Sequence, residues 1–508
     1  MTKGVLTMTM KIDRRKFLGS AIATGAFTLV PRHVLGGAGY VAPSEKITFA
    51  HIGMGTQGFN ELGGLLEEPQ IQIVAVCDPN TDSNDYVEWG KNGIRNRIRT
   101  YLDDSSWRDR ADGCPGGREV GRYVVDTYYK NHGRAAGSKG CSAYVDFREL
   151  LEKEKDIDAV KIMTPDHLHA TISIAAMKKG KHVLMHKPIA NRLYEGRLVL
   201  KTARQTKMAT HLLAYGSGAG NGMIAESIRQ GAIGPLREIH NWTNRPVWPQ
   251  YTEIPRDRRP IPKGLDWDLW LGPTLPRPYH PHYTHTVFRG WYDFGGGSMA
   301  DMGIYSLWPV FAALNLDTPL SARAWATHTC TIENNVSTTV HNDFSYPTAC
   351  ALRFQFAARQ QMPAMDLFWY DGGMKPRLPD ELEAQGVEMD REGIMYIGDE
   401  GTIMAGFNGQ DPRIFAKGEN KPFKPDETSS QSAGRNRRLS SWLQAFKGGE
   451  PSPGSFLNAA AITDAVNLGT VALRSGRKVL FDSENMKITN APEADKYLYR
   501  EYRKGWEL

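Results

Sequence analysis

The sequence predicts an α/β protein with an N-terminal doubly wound parallel sheet and a second domain of different character. Short strands alternate with helices between residues 47 and 186, and longer polar strands dominate from about residue 205. A length of 508 residues suits two or three domains, at roughly 100 to 200 residues each. The composition, 41% hydrophobic and 23% charged, excludes a disordered chain. No apolar run approaches the roughly 18 residues of a membrane span.

The net charge of +6 is concentrated near the N-terminus, where six basic residues among the first 43 face one acidic residue, Asp13. The rest of the chain is nearly neutral, so it lacks the basic field that would neutralise phosphates. We therefore do not expect nucleic-acid binding.

Residues 1–43 contain the pair Arg14–Arg15, then Phe17 and Leu18, then a weakly apolar stretch rich in small residues. This pattern resembles a twin-arginine export signal followed by a linker, and the stretch is too short to span a membrane. The resemblance implies a periplasmic or otherwise exported protein. Because that route carries folded proteins, it also implies a cofactor that is bound tightly before export.

A strand predicted at Ile47–Ile52 leads into a turn with the G-x-G-x-x-G spacing of dinucleotide-binding proteins. The first glycine permits the bend, the second lets the backbone approach a pyrophosphate, and the third lets helix and strand pack closely. A second strand, Ile71–Cys77, ends at a carboxylate that would bind ribose hydroxyls. The predicted cofactor-binding residues of this segment are Gly53, Gly55, Thr56, Gln57, Gly58 and Asp78.

The residues after Asp78 favour NAD over NADP, because a carboxylate repels a 2′-phosphate and residues 79–82 offer no arginine. The alternation of helices and strands resumes at Phe147, which predicts a Rossmann domain at residues 44–204 with an insertion at 81–143. This arginine-rich insertion is either a solvated excursion or a cover over the cofactor.

Two short segments carry a more specific resemblance. Thr164-Pro165-Asp166 opens a helix, and a later strand ends in His186-Lys187-Pro188. These segments resemble the core of the Gfo/Idh/MocA family, which comprises two-domain, nicotinamide-dependent sugar and polyol oxidoreductases. The resemblance implies that Lys187 lies beside the nicotinamide and the substrate, whereas His186 replaces the family's usual glutamate and Asp166 a more common asparagine. The cofactor-binding residues that it adds are Thr164, Asp166, His169, His186 and Lys187.

A second family-like signature, Gly-Gly followed by Asp-x-Gly-x-Tyr, ends at Tyr305, where most members have histidine. Asp301 and Tyr305 share one helix face. Oxidation of a secondary alcohol needs a proton acceptor and a group that stabilises charge on the oxygen. We predict that Tyr305 exchanges the proton, Lys187 polarises the oxygen, and Asp301 orients Lys187 or a sugar hydroxyl. The reverse assignment of Lys187 and Tyr305 stays open.

The resemblance also implies that residues 205–434 form an α/β domain with an open, mostly antiparallel sheet. Such a sheet commonly makes the subunit contact, so we expect a homo-oligomer, a dimer or a tetramer. Aromatic residues mixed with His, Arg and Asp between 265 and 293 suit a sugar, although Trp267 and Trp270 are expected to pack. The predicted substrate-binding residues are Lys187, Asp301, Tyr305, His280, His282, Tyr283 and Trp291.

No metal site is predicted, because the five cysteines lack C-x-x-C spacing and His280, His282 and His285 lack an accompanying carboxylate pattern. Residues 435–508 contain two predicted helices, which the resemblance implies pack back on both domains.

The leading hypothesis is an exported, NAD-dependent oxidoreductase that acts on a secondary hydroxyl or keto group of a sugar or glycoside. The first alternative is a glycosidase that uses bound NAD for transient oxidation, elimination, water addition and reduction. That reaction needs a further base, for which His280, His282 and Tyr283 are candidates. The second alternative is a catalytically silent sugar-binding relative.

Overall fold

In the computed structural model, the predicted parallel sheet has six strands, and all neighbouring pairs run parallel. The structure describes residues 41, 45–134, 139–215, 219–359, 362–416, 419–422 and 435–508, so the predicted export signal lies outside the described residues. Every element below belongs to residues 47–508, which form one unit. From edge to edge the strands are β5 (Ser142–Tyr144), β2 (Ile71–Cys77), β1 (Ile47–Ile52), β6 (Ala159–Ile162), β7 (His182–Met185) and β8 (Thr210–Leu212).

Helices cover both faces of this sheet, as a doubly wound fold requires. The helix at residue 147 begins where predicted, because the side chain of Asp146 accepts a hydrogen bond from the N–H of Arg148. The predicted domain ends at residue 204, but strand β8 of the same sheet lies beyond it. A strand of three residues is too short to be recognised from its sequence pattern. The helices are α1 (Thr56–Leu66), α4 (Phe147–Lys153), α5 (Asp166–Lys178) and α6 (Leu193–Thr206).

The insertion after β2 is structured. Its last helix packs on the sheet, where the N–H of Ile73 donates a 2.9 Å hydrogen bond to the hydroxyl of Tyr129. This helix serves as the crossover between β2 and β5, and the rest of the insertion lies towards the glycine-rich turn. The elements are β3 (Ser83–Tyr86), α2 (Gly93–Leu102), β4 (Cys114–Gly116) and α3 (Arg118–Asn131), with β3 and β4 paired.

The second sheet has ten strands and is open and mostly antiparallel, which confirms the predicted fold class. Among its described strands, only Leu236–Trp242 and Met365–Tyr370 pair in parallel. Their neighbours form antiparallel pairs. From edge to edge its strands are β18 (Glu419–Pro422), β17 (Arg413–Ala416), β16 (Gly401–Gly406), β15 (Gly393–Gly398), β9 (Leu236–Trp242), β14 (Met365–Tyr370), β13 (Cys350–Phe356), β10 (Ser321–Ala326), β19 (Val479–Asp482) and β20 (Lys487–Ile488).

The segment from residue 321 to residue 339 is divided between the second sheet and a separate hairpin. Strand β10 ends at Ala326, and residues 330–339 form a separate exposed hairpin of β11 (Cys330–Glu333) and β12 (Val336–Thr339). Asn334 and Asn335 both have positive φ, 50° and 62°, as a two-residue hairpin turn requires. The paired asparagines therefore turn the chain back on itself.

The remaining helices include the main core helix of the second domain, Ala460–Ser475, which packs on α6 and on β10. Among the described residues, only the segment Phe456–Ser475 is long and apolar enough to cross a membrane, and most of it is buried inside the protein. The rings of Trp442 and Phe446 pack on Phe49 of β1. These helices are α7 (Ala219–Arg229), α8 (Trp267–Leu271), α9 (Ile304–Ala313), α10 (Asp380–Ala384), α11 (Arg435–Phe446) and α12 (Ala460–Ser475).

Candidate active site

A cleft lies at the carboxyl ends of β1, β2, β6 and β7, where doubly wound sheets bind ligands. It contains about 920 Å³ of space free of atoms, its open mouth included, which suits a dinucleotide and the reacting part of a substrate. Its lining includes predicted cofactor residues, namely Gly53, Gly55, Thr56, Gln57, Asp78, Thr164, Asp166 and His186. It also includes residues that the sequence did not single out, namely Asn80, Tyr86, Trp89, Leu265, Thr286 and Arg289.

The glycine-rich turn has the geometry that its spacing predicts. Gly53 has a φ of 98°, and a Cβ there would lie 2.6 Å from the carbonyl of Met163. A Cβ on Gly58 would lie 2.3 Å from the carbonyl oxygen of Gly53, so the third glycine is needed for close packing. Helix α1 begins at Thr56 without a side-chain cap and without an acidic residue in its first turn. Its first N–H groups are therefore available to a diphosphate.

Asp78 is buried at the end of β2, where it fixes the turn. One carboxylate oxygen accepts from the N–H of Met54 at 2.7 Å, and the other accepts from the N–H of Asn80 at 2.8 Å. Burial raises the pKa of this carboxyl, and the two N–H donors oppose the shift. Each oxygen keeps a further lone pair for a ribose hydroxyl. The uncapped helix and this carboxylate together fit NAD.

The insertion closes over this end of the cleft. The ring of Tyr86 lies where a Cβ on Gly55 would point, 2.8 Å away. It also contacts the ring of His285 of the second domain, with the ring centres 4.2 Å apart and the planes tilted by 50°. Asp85 lies 3.3 Å from the Nε2 of the same histidine. The carbonyl oxygen of Val87 accepts from the hydroxyl of Thr56 at 2.7 Å. We call residues 85–89 the strap, because they connect α1 to the second domain across the cleft.

Lys187 and Asp301 form a buried ion pair beside the part of the cleft that His186 and Arg289 line, which we call the reacting end. Lys187, Asp301 and Tyr305 are not among the residues that line the cleft itself. The π-helical turn Met299–Gly303 presents Asp301, and Arg289 lies 3.3 Å from the same carboxylate oxygen. Burial lowers the pKa of Lys187, and the charge of Asp301 opposes the shift. Burial also opposes ionisation of Asp301, but the charges of Lys187 and Arg289 keep the pKa of its carboxyl below the usual value.

Tyr305 contacts His186 and lies near Lys187. The Nε2 of His186 is 2.8 Å from the Tyr305 hydroxyl, and the Nζ of Lys187 is 5.0 Å from the centre of the tyrosine ring. Burial raises the pKa of Tyr305, and the negative charge of Asp301 adds to the shift. Burial and the positive charge of Lys187 hold the pKa of His186 well below its ordinary value. His186 is therefore a neutral imidazole beside the tyrosine hydroxyl.

Asp166 and His169 hold the loops around the reacting end. Asp166 accepts a 3.0 Å hydrogen bond from the N–H of Gly296, which ties α5 to the second signature. The ring nitrogens of His169 lie 2.5 Å from the carbonyl oxygen of Pro188 and 2.9 Å from that of Thr164. His169 thus contacts the two segments that flank the cleft, and it is not among the residues that line it.

The other predicted substrate residues lie away from this cleft. His280 and His282 line a second pocket on the surface, where the Nε2 of His280 is 3.2 Å from Asp257. Tyr283 and Trp291 are buried in an aromatic cluster with Trp267. Other residues of the same segment, such as Thr286 and Arg289, do line the cleft. The sequence could not show which side chains of this segment face the cleft. Among the described residues, no group of three or more His, Cys, Asp or Glu could hold a metal ion.

Two family models match the chain. Residues 115–212 match the NAD-binding Rossmann fold of the Gfo/Idh/MocA oxidoreductases, and residues 236–364 match the family's C-terminal α/β domain. These two segments are similar to the two domains of the Gfo/Idh/MocA oxidoreductases, in agreement with the resemblance that the sequence signatures carry. The prediction of an NAD-binding Rossmann domain is confirmed.

Comparison with individual members shows more distant similarity. The chain is 33% identical to a levoglucosan dehydrogenase from Pseudarthrobacter phenanthrenivorans over 20% of this chain and 28% of the relative. It is 26% identical to a glycosyl hydrolase family 109 protein from Shewanella pealeana over 45% of each chain. The alignments therefore span less than half the length of these curated relatives. The fold matches that of the Bordetella pertussis WlbA dehydrogenase, whose crystal structure was solved in complex with NADH and UDP-GlcNAcA. The TM-score is 0.51 at 14% identity, and the match covers 86% of this chain and 98% of WlbA.

Proposed function

We propose that this protein is an NAD-dependent oxidoreductase of the Gfo/Idh/MocA family that interconverts a secondary hydroxyl and a keto group of a sugar or glycoside. The observation that carries the proposal is the pairing of Lys187 with Asp301 and of His186 with Tyr305, beside the part of the cleft that His186 and Arg289 line. Bound NAD would supply the site that accepts or returns a hydride. The protein must then hold the sugar and move one proton.

In this mechanism, Lys187 donates a hydrogen bond to the reacting oxygen and stabilises its developing negative charge. Asp301 keeps the ammonium group in place through their ion pair. Tyr305 gives its proton to the oxygen when a ketone is reduced and is left as a tyrosinate. In the reverse reaction this tyrosinate takes the hydroxyl proton of the alcohol and becomes neutral tyrosine again. His186 fixes the position of the tyrosine hydroxyl through their 2.8 Å contact. Because burial makes a charged imidazole unfavourable, His186 orients Tyr305 rather than storing the proton.

We also propose that NAD stays bound through many reaction cycles. The strap supports this, because it contacts both the first residue of α1 and the second domain. A cofactor beneath it could leave only after those contacts break. Such retention suits an exported enzyme, which meets little free NAD outside the cytoplasm.

The first test is the near-ultraviolet absorbance of the protein as purified, recorded while simple glycosides are added, with the products resolved by NMR. We expect the band of reduced nicotinamide to appear together with a keto-sugar whose glycosidic bond is intact. If no glycoside in a varied panel changes the nicotinamide band or yields an oxidised product, the proposed activity is wrong.

A redox-assisted glycosidase is the second candidate, favoured by the similarity to glycosyl hydrolase family 109 proteins. The three bases considered for it, His280, His282 and Tyr283, do not line the cofactor cleft, whereas Tyr86 and His285 do. The same experiment separates the two functions. Free sugar that accumulates while the nicotinamide band stays transient would favour the glycosidase.

The export signal remains a proposal that rests on Arg14 and Arg15. We expect the wild-type protein to reach the periplasm already folded, with its cofactor bound. Substitution of both arginines by lysine should leave the folded protein in the cytoplasm, as measured by cell fractionation. An unchanged distribution would contradict twin-arginine export.

A further inference from the structure

We propose that the sugar substrate carries a carboxylate, and that Arg245 and Trp89 recognise it at the mouth of the cleft. The inference rests on the proposed function, because it specifies the substrate class of the same site. Neither residue belongs to the family signatures or to the predicted site. They come from two distant segments, the strap and the loop that follows β9.

Arg245 is half-buried, and its backbone is held from two sides. Its N–H donates to the hydroxyl of Thr243 at 3.3 Å, and its carbonyl oxygen accepts from the N–H of Gly372. The guanidinium lies over the indole of Trp89, 5.7 Å from the ring centre. Trp89 lines the cofactor cleft and is 53% exposed. The pair therefore places a cation over an accessible aromatic ring that lines the cleft, although Arg245 itself is not a lining residue.

Of the three cations Lys187, Arg289 and Arg245, only the first two form an ion pair with a carboxylate among the described residues. Lys187 and Arg289 both contact the carboxylate of Asp301. The charge of Arg245 also favours ionisation of Asp301, although it forms no ion pair with that group. Across the described ranges, no carboxylate lies within 4.0 Å of the Arg245 guanidinium. A neutral sugar would leave this charge uncompensated.

The chemistry of the pair suits one class of sugar. A guanidinium presents a planar set of donors that matches the two oxygens of a carboxylate. The face of an indole suits the C–H groups of a pyranose ring. A hexuronic acid joins both features in one molecule, because its carboxylate lies at the edge of the ring. The contact with Trp89 also limits the rotation of Arg245, so less conformational entropy is lost when the anion binds.

The test compares methyl glycosides of glucose, galactose and mannose with the corresponding methyl uronides, which differ only in a C6 carboxylate. Binding to the cofactor-loaded protein is measured by calorimetry, first at low salt and then at about 0.5 M salt, where exposed charges are screened. We expect at least one uronide to bind about tenfold or more tightly than its neutral partner, with a preference that falls as salt rises. The uronide with the highest affinity is used to test the variants.

Arg245→Gln should abolish the preference, and Arg245→Lys should retain part of it, because lysine keeps the charge but loses the planar donor set. The matched control is Arg323→Gln, since Arg323 lies 5.0 Å from the ring centre of Trp325 on the second sheet and should not affect binding. Trp89→Ala should weaken both members of a sugar pair, because it removes the stacking surface. Retention of bound NAD by each variant checks that it is folded.

Equal binding of every neutral sugar and its uronide would overturn the inference, as would a preference that survives in Arg245→Gln. A methyl glucoside 6-sulfate that binds more tightly than the uronides would also overturn the choice of a carboxylate. Product analysis of the same samples tests the proposed function separately. A uronide that binds through Arg245 but is never oxidised would support the inference and contradict the oxidoreductase. Equal oxidation of neutral and acidic sugars would support the oxidoreductase and contradict the inference.

Discussion

At the scale of single residues, the reacting end is built from two consecutive side chains that take different partners. His186 contacts Tyr305, and Lys187 contacts Asp301, which lies one helical turn earlier than Tyr305. Two residues at the end of one strand thus fix two residues on one turn of the second domain. His186 stands where the family usually has glutamate. A neutral imidazole can contact the tyrosine hydroxyl without adding a charge.

Tyr305→Phe should lower kcat by about 10²- to 10⁴-fold, the typical contribution of a positioned acid or base. The phenyl ring keeps the packing beside Lys187, so only the proton carrier is lost. His186→Gln should have a smaller effect on kcat and should shift its pH profile, because the amide can hold the hydroxyl only in part. Steady-state kinetics over a pH range would measure both effects.

Tyr396→Phe is the matched control, since this buried hydroxyl lies on β15 and contacts only Asn221 among the described side chains, 3.3 Å away. It should leave kcat unchanged. If Tyr305→Phe keeps most of its activity while Lys187→Met loses it, the roles of lysine and tyrosine are reversed, as the sequence left open.

At the scale of elements, what the sequence could predict depended on how local the signal was. Strands β1 and β2 and the cap of α4 match their predictions because their patterns lie within a few residues. Lys187 and Asp301 could be brought together only by the family resemblance, since 114 residues separate them. A cover over the cofactor was one of two interpretations of the insertion, but the sequence could not show which residues form the strap. Nothing in residues 85–89 indicates that this segment reaches His285, because that contact depends on how two domains pack.

Tyr86→Ala should raise the dissociation rate of NAD by about tenfold or more, since changes in affinity among related complexes lie mostly in the dissociation rate. The substitution removes the ring that covers Gly55 and contacts His285. Release of the bound dinucleotide into excess competitor would measure the rate. Tyr123→Ala is the control, because that exposed tyrosine lies in α3 of the same insertion. Equal rates for wild type and Tyr86→Ala would show that the strap does not retain the cofactor.

Asp371, which follows β14, should make the second domain less stable as pH rises from about 4 to about 6. Burial raises the pKa of its carboxyl to about 6, against hydrogen bonds from Cys350 and Trp369. The folded state therefore holds this proton in a range where the unfolded state has released it, and stability is lost as pH passes the folded pKa. A shift of about two units corresponds to roughly 3 kcal/mol.

Chemical unfolding of wild type and Asp371→Asn from pH 4 to pH 8 would measure this effect. The asparagine does not titrate, so the free energy of unfolding of wild type should fall by a few kcal/mol relative to that of the variant as pH rises. The change in this difference is the informative quantity, because asparagine also alters the hydrogen bonds at every pH. Parallel pH profiles would contradict a buried, protonated Asp371.

At the scale of the whole molecule, the C-terminal tail ties the two domains together around the reacting end. The guanidinium of Arg500 donates to Glu195 of α6 at 2.7 Å and to the carbonyl oxygen of Asp293 at 3.0 Å. It also donates to Asn191, and Tyr502 donates to Glu195 at 2.9 Å. The carbonyl of Asp293 lies just before the glycines of the second signature. The tail thus connects the Rossmann domain to the segment that leads to Asp301, a role that the sequence did not indicate.

The open second sheet supports the proposal of a homo-oligomer at the same scale. Trp325 of β10 is 45% exposed, Leu320 just before the same strand is 53% exposed, and Leu480 of the neighbouring strand β19 is 40% exposed. We expect light scattering to report a dimer or a tetramer. Trp325→Glu should shift that assembly towards the monomer without releasing NAD, because the cleft lies on the other sheet. A wild-type protein that stays monomeric at micromolar concentration would contradict the proposal.

The link between Arg500 and Glu195 should be strongly coupled, because both side chains are buried. Arg500→Met leaves the Glu195 carboxylate without its cationic partner, which should cost about 3 to 5 kcal/mol of unfolding free energy. Glu195→Gln leaves an uncompensated guanidinium and should cost a similar amount. The double variant should lose about 0.5 to 3 kcal/mol less than the sum of the single losses, because neither charge is then left alone. Chemical unfolding of the four NAD-loaded proteins measures the coupling. We also expect kcat to fall most in the single variants, because the loop at Asp293 leads to Asp301. Additive losses would mean that the tail stabilises the protein through packing rather than through this ion pair.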